Sequence, residues 1–276
     1  MADTGLSYPP DSPYYNCSGF LNSLTQDQAA ALRALQTHII SASLNLSDVA
    51  FNSLHPSLVL LRYLRANAFD VARAAEHIER NVQWRRDMNV HKICQMQPHE
   101  ILGCDMKDFT SLFPHWHCGY DKHRRPVLYK QYGGFECTEL LKLTTVDAIS
   151  KYHVWEQEAC MRLCMLQSLK SGYLVETITA VIDVAGMHMR QVDANFMAIV
   201  KSIANIDQAQ YPETLGRFYI INTPYVFPVV WRMVKAFLDP VVASKIHIIS
   251  RRAEWEPALL EFIGAENLSQ TYGGTA

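Results

Sequence analysis

What most narrows the possible folds is a change of hydrophobic rhythm near Gly119. Beyond it, short apolar runs alternate with longer stretches of helical character. Residues 126–129, 177–183, 217–222 and 246–249 are rich in Val, Ile, Tyr and Phe, the composition of strands. Between them, residues 146–169 read as a long helix. Residues 196–206 read as another, through Phe196, Ile199, Val200 and Ile203, and residues 228–238 as a third. Strands alternating with helices predict an α/β protein with a mostly parallel sheet and helical connections. Several runs are continuously apolar, as strands are when both faces are covered.

Before Gly119 the pattern is helical. Thr25 or Asp27 can cap a helix over residues 27–40, with Ala31, Leu32, Leu35 and Ile39 on its apolar face. His55-Pro56 opens a second helix that sets Leu58, Leu61 and Leu64 apart from Arg62 and Arg65. Phe69-Asp70 interrupts it, and Asp70 can cap a third helix through Val71, Ala74, Ala75, Ile78 and Val82. Pro, Ser, Tyr and Asp crowd the first residues, an irregular arm. The expected division is an arm over 1–22, a helical unit over 23–95 and an α/β unit over 96–276.

Bulk properties exclude several function classes. Lys and Arg number 25 against 27 Asp and Glu, a formal charge of −2. Phosphate backbones call for a basic excess, so no nucleic-acid partner is expected. Apolar runs fall short of the roughly 20 residues that span a bilayer. Residues 1–13 lack the apolar core of a signal peptide. Seven cysteines without a C-x-x-C pair read as reduced thiols in a cytoplasmic, monomeric protein.

Catalytic signatures are missing as well. The chain has no G-x-x-x-x-G-K-[ST] loop, no G-x-G-x-x-G turn and no G-x-S-x-G elbow, so neither an enzyme nor a cofactor is expected. His115, His117 and Cys118 are the one cluster of metal-ligand types. They lack a distant second pair, and Trp116 between the histidines suits a packed or interfacial loop. Cys160 and Cys164, four apart on a helix, read as small buried hydrophobes. Asp183 reads as a hydrogen-bonding residue in the turn to Gly186, and Gly133-Gly134 and Gly273-Gly274 as turn glycines.

The segment 227–238 has a character of its own. Pro228 suits a first helical position. Phe227, Val229, Val230, Trp231, Met233, Val234, Phe237 and Leu238 then outnumber the polar Arg232 and Lys235. Such a helix either covers a sheet as core or closes a cavity while its aromatic and basic residues meet a membrane.

Ordered motifs favour the lid. Leu60-Leu61-Arg62-Tyr63-Leu64-Arg65-Ala66-Asn67-Ala68-Phe69-Asp70-Val71 with Trp84-Arg85 resembles the helical module of the CRAL-TRIO lipid-binding family. Arg125-Pro126-Val127, Leu174-Val175-Glu176-Thr177, Asp183 with Gly186, and Tyr211-Pro212-Glu213 follow in that family's order. So do Phe218-Tyr219-Ile220-Ile221-Asn222, Phe237-Leu238-Asp239-Pro240, Ser244-Lys245-Ile246, Ala265-Glu266-Asn267-Leu268 and Tyr272-Gly273-Gly274. The similarity spans residues 24–274 and is of the phosphatidylinositol/phosphatidylcholine transfer type.

The resemblance implies a helical unit beside a sheet whose floor and a mobile gate helix enclose one lipid. It implies lipid transfer with transient membrane contact, or presentation of the lipid to a partner. It makes Glu213 and Lys245 headgroup residues, although each alone reads as an ordinary surface charge. It assigns Phe227, Val230, Trp231, Val234 and Phe237 to the gate. Elsewhere the chain departs from the family pattern: Asn67 replaces an arginine and Val242 a threonine. Ile178 and Ala180 replace hydroxyl-bearing residues, and His117 and Leu128 replace tyrosines. Those replacements put a choline-phosphate pocket in doubt. Phosphatidylinositol remains the first expected ligand, with a neutral sterol-, tocopherol- or retinoid-like molecule as the alternative.

Overall fold

A computed structural model describes residues 6–45 and 56–276. The arm is irregular but packed. Tyr8 stands edge-on to Tyr14 and Phe20, and these rings bury against Leu58 and Leu174. Helix α1 (Gln26–Ser41) begins in a capping box: Thr25 Oγ1 accepts from the Gln28 amide at 3.2 Å and Gln28 Oε1 accepts from the Thr25 amide at 3.0 Å. Thr25 is therefore the cap, not Asp27.

Helix α2 (Pro56–Ala66) is buried on nearly every face, so Arg62 lies in the interior. His55 falls outside the described residues. The chain breaks at Ala68 and Phe69, both with positive φ, and Asp70 caps α3 (Val71–Met88) by accepting from the Arg73 amide at 3.1 Å. Helices α1 to α3 pack on one another around Leu35, Leu60, Leu64 and Ile78.

Helical structure continues through α4 (Val90–Ile93), α5 (Pro98–Leu102) and α6 (Met106–Leu112). Strand β1 (His115–Tyr120) then pairs antiparallel with β2 (Pro126–Gln131). Helices α7 (Cys137–Leu143) and α8 (Val146–Ser171) lead to β3 (Ile178–Asp183). Helix α9 (Ala194–Gln210), β4 (Leu215–Ile221), α10 (Phe227–Lys235), α11 (Pro240–Ser244), β5 (Ile246–Ile249) and α12 (Arg252–Ile263) complete the chain. The five strands lie in the order β1-β2-β3-β4-β5, with β2 to β5 parallel, so the expected mostly parallel α/β sheet is the one observed.

Strand alternation gives the sheet two unlike faces. Val127, Tyr129, Val181, Tyr219, Ile221 and Ile249 pack against Trp255, Leu259, Phe262 and Ile263 of α12. Leu128, Lys130, Ala180, Ile182, Phe218 and Ile220 point the other way and line a cavity. Turn 121–125, outwardly a charged loop, is a buried clasp. Asp121 Oδ2 accepts from Arg125 Nε at 2.7 Å and from Thr179 Oγ1 at 2.6 Å, fixing the β1–β2 turn to β3. Gly133 is more than a turn glycine. A Cβ there would meet the Ala185 carbonyl oxygen at 1.6 Å, so two backbones touch at the strand ends.

Two expectations are corrected. Residues 115–118 form an edge strand and not a loop. The lid does not run unbroken to residue 238. Its helix ends at Lys235, and Phe237 and Leu238 make only i to i−3 backbone bonds before Asp239. Pro240 bars the preceding residue from helical geometry, and Asp239 caps α11 by accepting from the Val241 amide at 2.7 Å. The expected lid segment therefore forms two short helices around a corner.

Candidate functional site

The hollow face of the sheet forms the floor of a cavity of about 420 Å³, within the range that holds a drug-sized ligand. Leu128, Ile178 and Ala180 from the floor, Val242 from α11, and Phe227, Val230, Trp231 and Val234 from α10 all line it. Phe237 does not. It sits past the end of α10, where its carbonyl accepts from Gln208 Nε2 at 3.2 Å.

Helix α10 has two apolar aspects. Phe227 and Val230 are buried beneath it, and the Phe227 and Trp231 rings stack with centroids 6.4 Å apart. On the outer side Val229 and Met233 are exposed beside Arg232 and Lys235, and Tyr225 just before the helix is 95% exposed.

The expected headgroup pair does come together. Lys245 Nζ lies 3.6 Å from Glu213 Oε2, at one end of the cavity, with both side chains partly exposed. Glu213 holds a left-handed conformation, φ 58°, in which its carboxylate also lies 4.0 Å from Arg65 Nε. Sequence reasoning gave Arg65 no role, but it lines the cavity and stacks its guanidinium on Phe20 at 4.0 Å. Arg62 and Arg65 both reach Glu176, which Tyr8 also contacts, so the arm is wired to this end of the cavity. Asn67 lines the same region and is occupied: its Nδ2 donates to the Tyr63 carbonyl at 2.8 Å.

A second polar group at the cavity was not foreseen. Lys130 of β2 pairs with Glu156 of α8. His153 Nε2 and Gln157 Nε2, also on α8, both donate to Asp207 Oδ1 of α9, at 2.6 and 2.7 Å. Lys130, His153, Gln157 and Asp207 all line the cavity. Burial opposes the His153 charge, but Asp207 and the hydrogen bonds raise its pKa to about 9, so the imidazole is protonated at neutral pH. Burial likewise works against the Glu156 carboxylate, but Lys130 and His153 hold it well below the usual carboxylate range. The visible signals were a lysine inside an apolar strand and His153 with Gln157 at helical spacing. Their partners lie 26 to 54 residues away in sequence.

The metal-type cluster does not converge. Strand alternation turns Trp116 and Cys118 toward the α12 face. His115 Nδ1 donates to the Phe113 carbonyl at 2.8 Å and its Nε2 accepts from Tyr152 at 2.6 Å. His117 lies against Cys160 at 3.7 Å and not in the cavity lining. Cys160 and Cys164 are buried, and Asp183 accepts from the Ala185 amide and Asn222 Nδ2 as a turn residue does.

A parallel sheet with one solid face and one hollow, lidded face is the architecture of a hydrophobic-ligand-binding protein. The chain belongs to the CRAL/TRIO domain family, whose model matches residues 112–274. It is 33% identical over 270 residues to a SEC14 cytosolic factor of Candida glabrata, covering 97% of this chain and 84% of that one. It is also 33% identical over 220 residues to the phosphatidylinositol/phosphatidylcholine transfer protein SFH7 of Arabidopsis thaliana, covering 78% of this chain and 39% of that one. The crystal structure of Sfh5 shares the fold with a TM-score of 0.64 at 17% identity, over 85% of this chain and 83% of that chain. No helix among the described residues is long and apolar enough to cross a membrane.

Proposed function

We propose that this chain is a lipid carrier that exchanges phosphatidylinositol, or a related lipid, between membranes. The observation that carries the reading is the lidded cavity, apolar along its floor and roof, with Lys245 and Arg65 gathered around Glu213 at one end. Burying acyl chains removes about 0.8 kcal/mol of unfavourable hydration per CH₂, but a bilayer offers the same refuge. Choice of cargo therefore rests on shape and headgroup. A phosphate at this end gains two cations, and Glu213 offers an acceptor to ring hydroxyls. The outer apolar face of α10, with Tyr225, Arg232 and Lys235, is suited to meet a membrane surface while the lid opens.

Native mass spectrometry of the purified chain with extraction of bound lipid, and transfer of labelled phosphatidylinositol between vesicles, test the proposal. Lys245→Ala is expected to slow phosphatidylinositol transfer about tenfold by removing one charge-assisted contact. Unchanged transfer by that variant removes phosphatidylinositol as cargo, and absence of any bound or transferred lipid removes the carrier. A second reading, a neutral hydrophobic cargo, is favoured by Leu128, Ile178, Ala180 and Val242, which make the cavity wall apolar where hydroxyls would hold a zwitterionic headgroup.

A further inference from the structure

Helix α10 hangs between two ends of unlike construction. At its entry Asn222 takes a left-handed conformation, φ 56°, and is tied to α12 and β3. Its Oδ1 accepts from Trp255 Nε1 at 2.8 Å, and its Nδ2 donates to Asp183 Oδ1 at 3.0 Å. Its exit is the corner at residues 236–239. No residue of α11 beyond that corner is buried, and Phe237 and Leu238 are only half-buried, so packing holds this end loosely.

One side chain grips the corner from outside the lid. Gln208 of α9 donates from Nε2 to the Phe237 carbonyl at 3.2 Å, and its Oε1 accepts from the Asp239 amide. Nε2 also donates to the Ala204 carbonyl, one turn back along α9, at 3.1 Å. Two carbonyls on one side and an N–H on the other leave a single orientation for the side-chain amide, with both its hydrogens in use. Its two prongs clasp the backbone on either side of Leu238, between the end of α10 and the start of α11, where regular helical bonds are lacking. Asp239 in turn caps α11, so the grip extends to that helix. Gln208 borders the cavity, but its polar atoms are engaged by backbone and not offered to cargo.

We propose that Gln208 is the latch of the lid, a positioning residue that sets how often the cavity opens without deciding what the cavity holds. The inference rests on the carrier reading and concerns the rate of exchange. Swinging the lid about its corner breaks both prongs, in the empty and in the loaded protein alike. Loss of the latch therefore lowers the barriers to entry and to exit by the same factor. Their ratio, the affinity, stays where it was.

Gln208→Met keeps the side-chain length and removes both prongs. Entry and exit rates are measured by stopped-flow fluorescence on the full-length, delipidated chain, with a short-chain, acyl-labelled phosphatidylinositol and with dehydroergosterol. Amide hydrogen exchange is followed in parallel. For each probe that binds, both rates are expected to rise roughly tenfold or more, as the loss of two ordinary hydrogen bonds allows, with affinity unchanged. The Asp239 amide and the lid should exchange faster, and α12 should not. Unchanged rates overturn the inference. So does a faster exit with no faster entry, which would make Gln208 a cargo contact. If Gln208→Met does not fold, the wild-type Asp239 amide decides: protection supports the latch, and exchange at the rate of an unprotected amide overturns it. A chain that takes up neither probe rejects the carrier, and the lid amides of Gln208→Met then decide the latch alone.

Discussion

Glu156→Gln should be among the most damaging single changes in this protein, although the residue touches no solvent-facing surface. Glu156 is 4% exposed and receives Lys130 from β2, with His153 and His115 at 3.5 and 3.9 Å. Neutralising it strands the Lys130 ammonium in the interior, and breaking a buried pair from one side costs about 3–5 kcal/mol. At about 2 °C per kcal/mol for a chain of this size, the melting temperature is expected to fall by about 6–10 °C. Lys130→Met alone should cost less, since His153 still faces the carboxylate. The double variant Lys130→Met/Glu156→Gln should recover most of the loss, because neither charge is then unmatched. The assay is thermal and urea unfolding of delipidated protein, so that bound cargo does not mask the difference. A shift under about 2 °C for Glu156→Gln, or a double variant no better than Glu156→Gln, would show that the pair is hydrated and refute the reasoning.

Two further outcomes follow from the same geometry. Against the opposing pull of burial, Asp207 and Glu156 raise His153 from 6.5 to about 9, so the protonated imidazole contributes about 3 kcal/mol that is fully present below pH 6.5 and is lost as pH rises through about 9. The stability gap between wild type and Asp207→Asn should therefore be wide at pH 6 and nearly closed at pH 10; a constant gap contradicts this. Tyr225→Asp/Val229→Asp, both exposed, should change unfolding stability by under about 0.5 kcal/mol yet weaken binding to anionic vesicles and slow transfer severalfold in a sedimentation and transfer assay.

The parts of the fold that read clearly were those written as apolar runs, whether fully buried like β3 or partly exposed like β5. Strands β3, β4 and β5 are nearly unbroken apolar runs, and their predicted positions fall within two residues of the observed ones. Strand β1 was invisible because His115, Trp116, His117 and Cys118 alternate in contact, not in hydrophobicity: an edge strand against α8 on one side and α12 on the other. Helix α12 escaped notice because Pro257 sits inside it. It holds through the tertiary burial of Trp255, Leu259, Phe262 and Ile263, which outweighs the local cost of proline. Within the candidate site, the gate and the Glu213–Lys245 pair lay in contiguous family motifs. The interior polar locus did not. Its pairing joins residues up to 54 apart, and an isolated lysine, histidine or glutamine carries no mark of its future neighbours.

The alternation along the strands also governs how such a protein can change over time. Odd-numbered positions such as Val127, Tyr129, Val181, Tyr219 and Ile221 press on α12, where a lost or added methylene is felt directly. Even-numbered positions such as Leu128, Ala180, Ile182 and Phe218 border empty space and tolerate altered size and polarity more readily. Lys130 apart, whose pairing with Glu156 holds the interior, stability and cargo preference thus rest largely on interleaved residues, and a lineage can exchange one lipid for another by editing every second residue while the sheet it stands on stays the same.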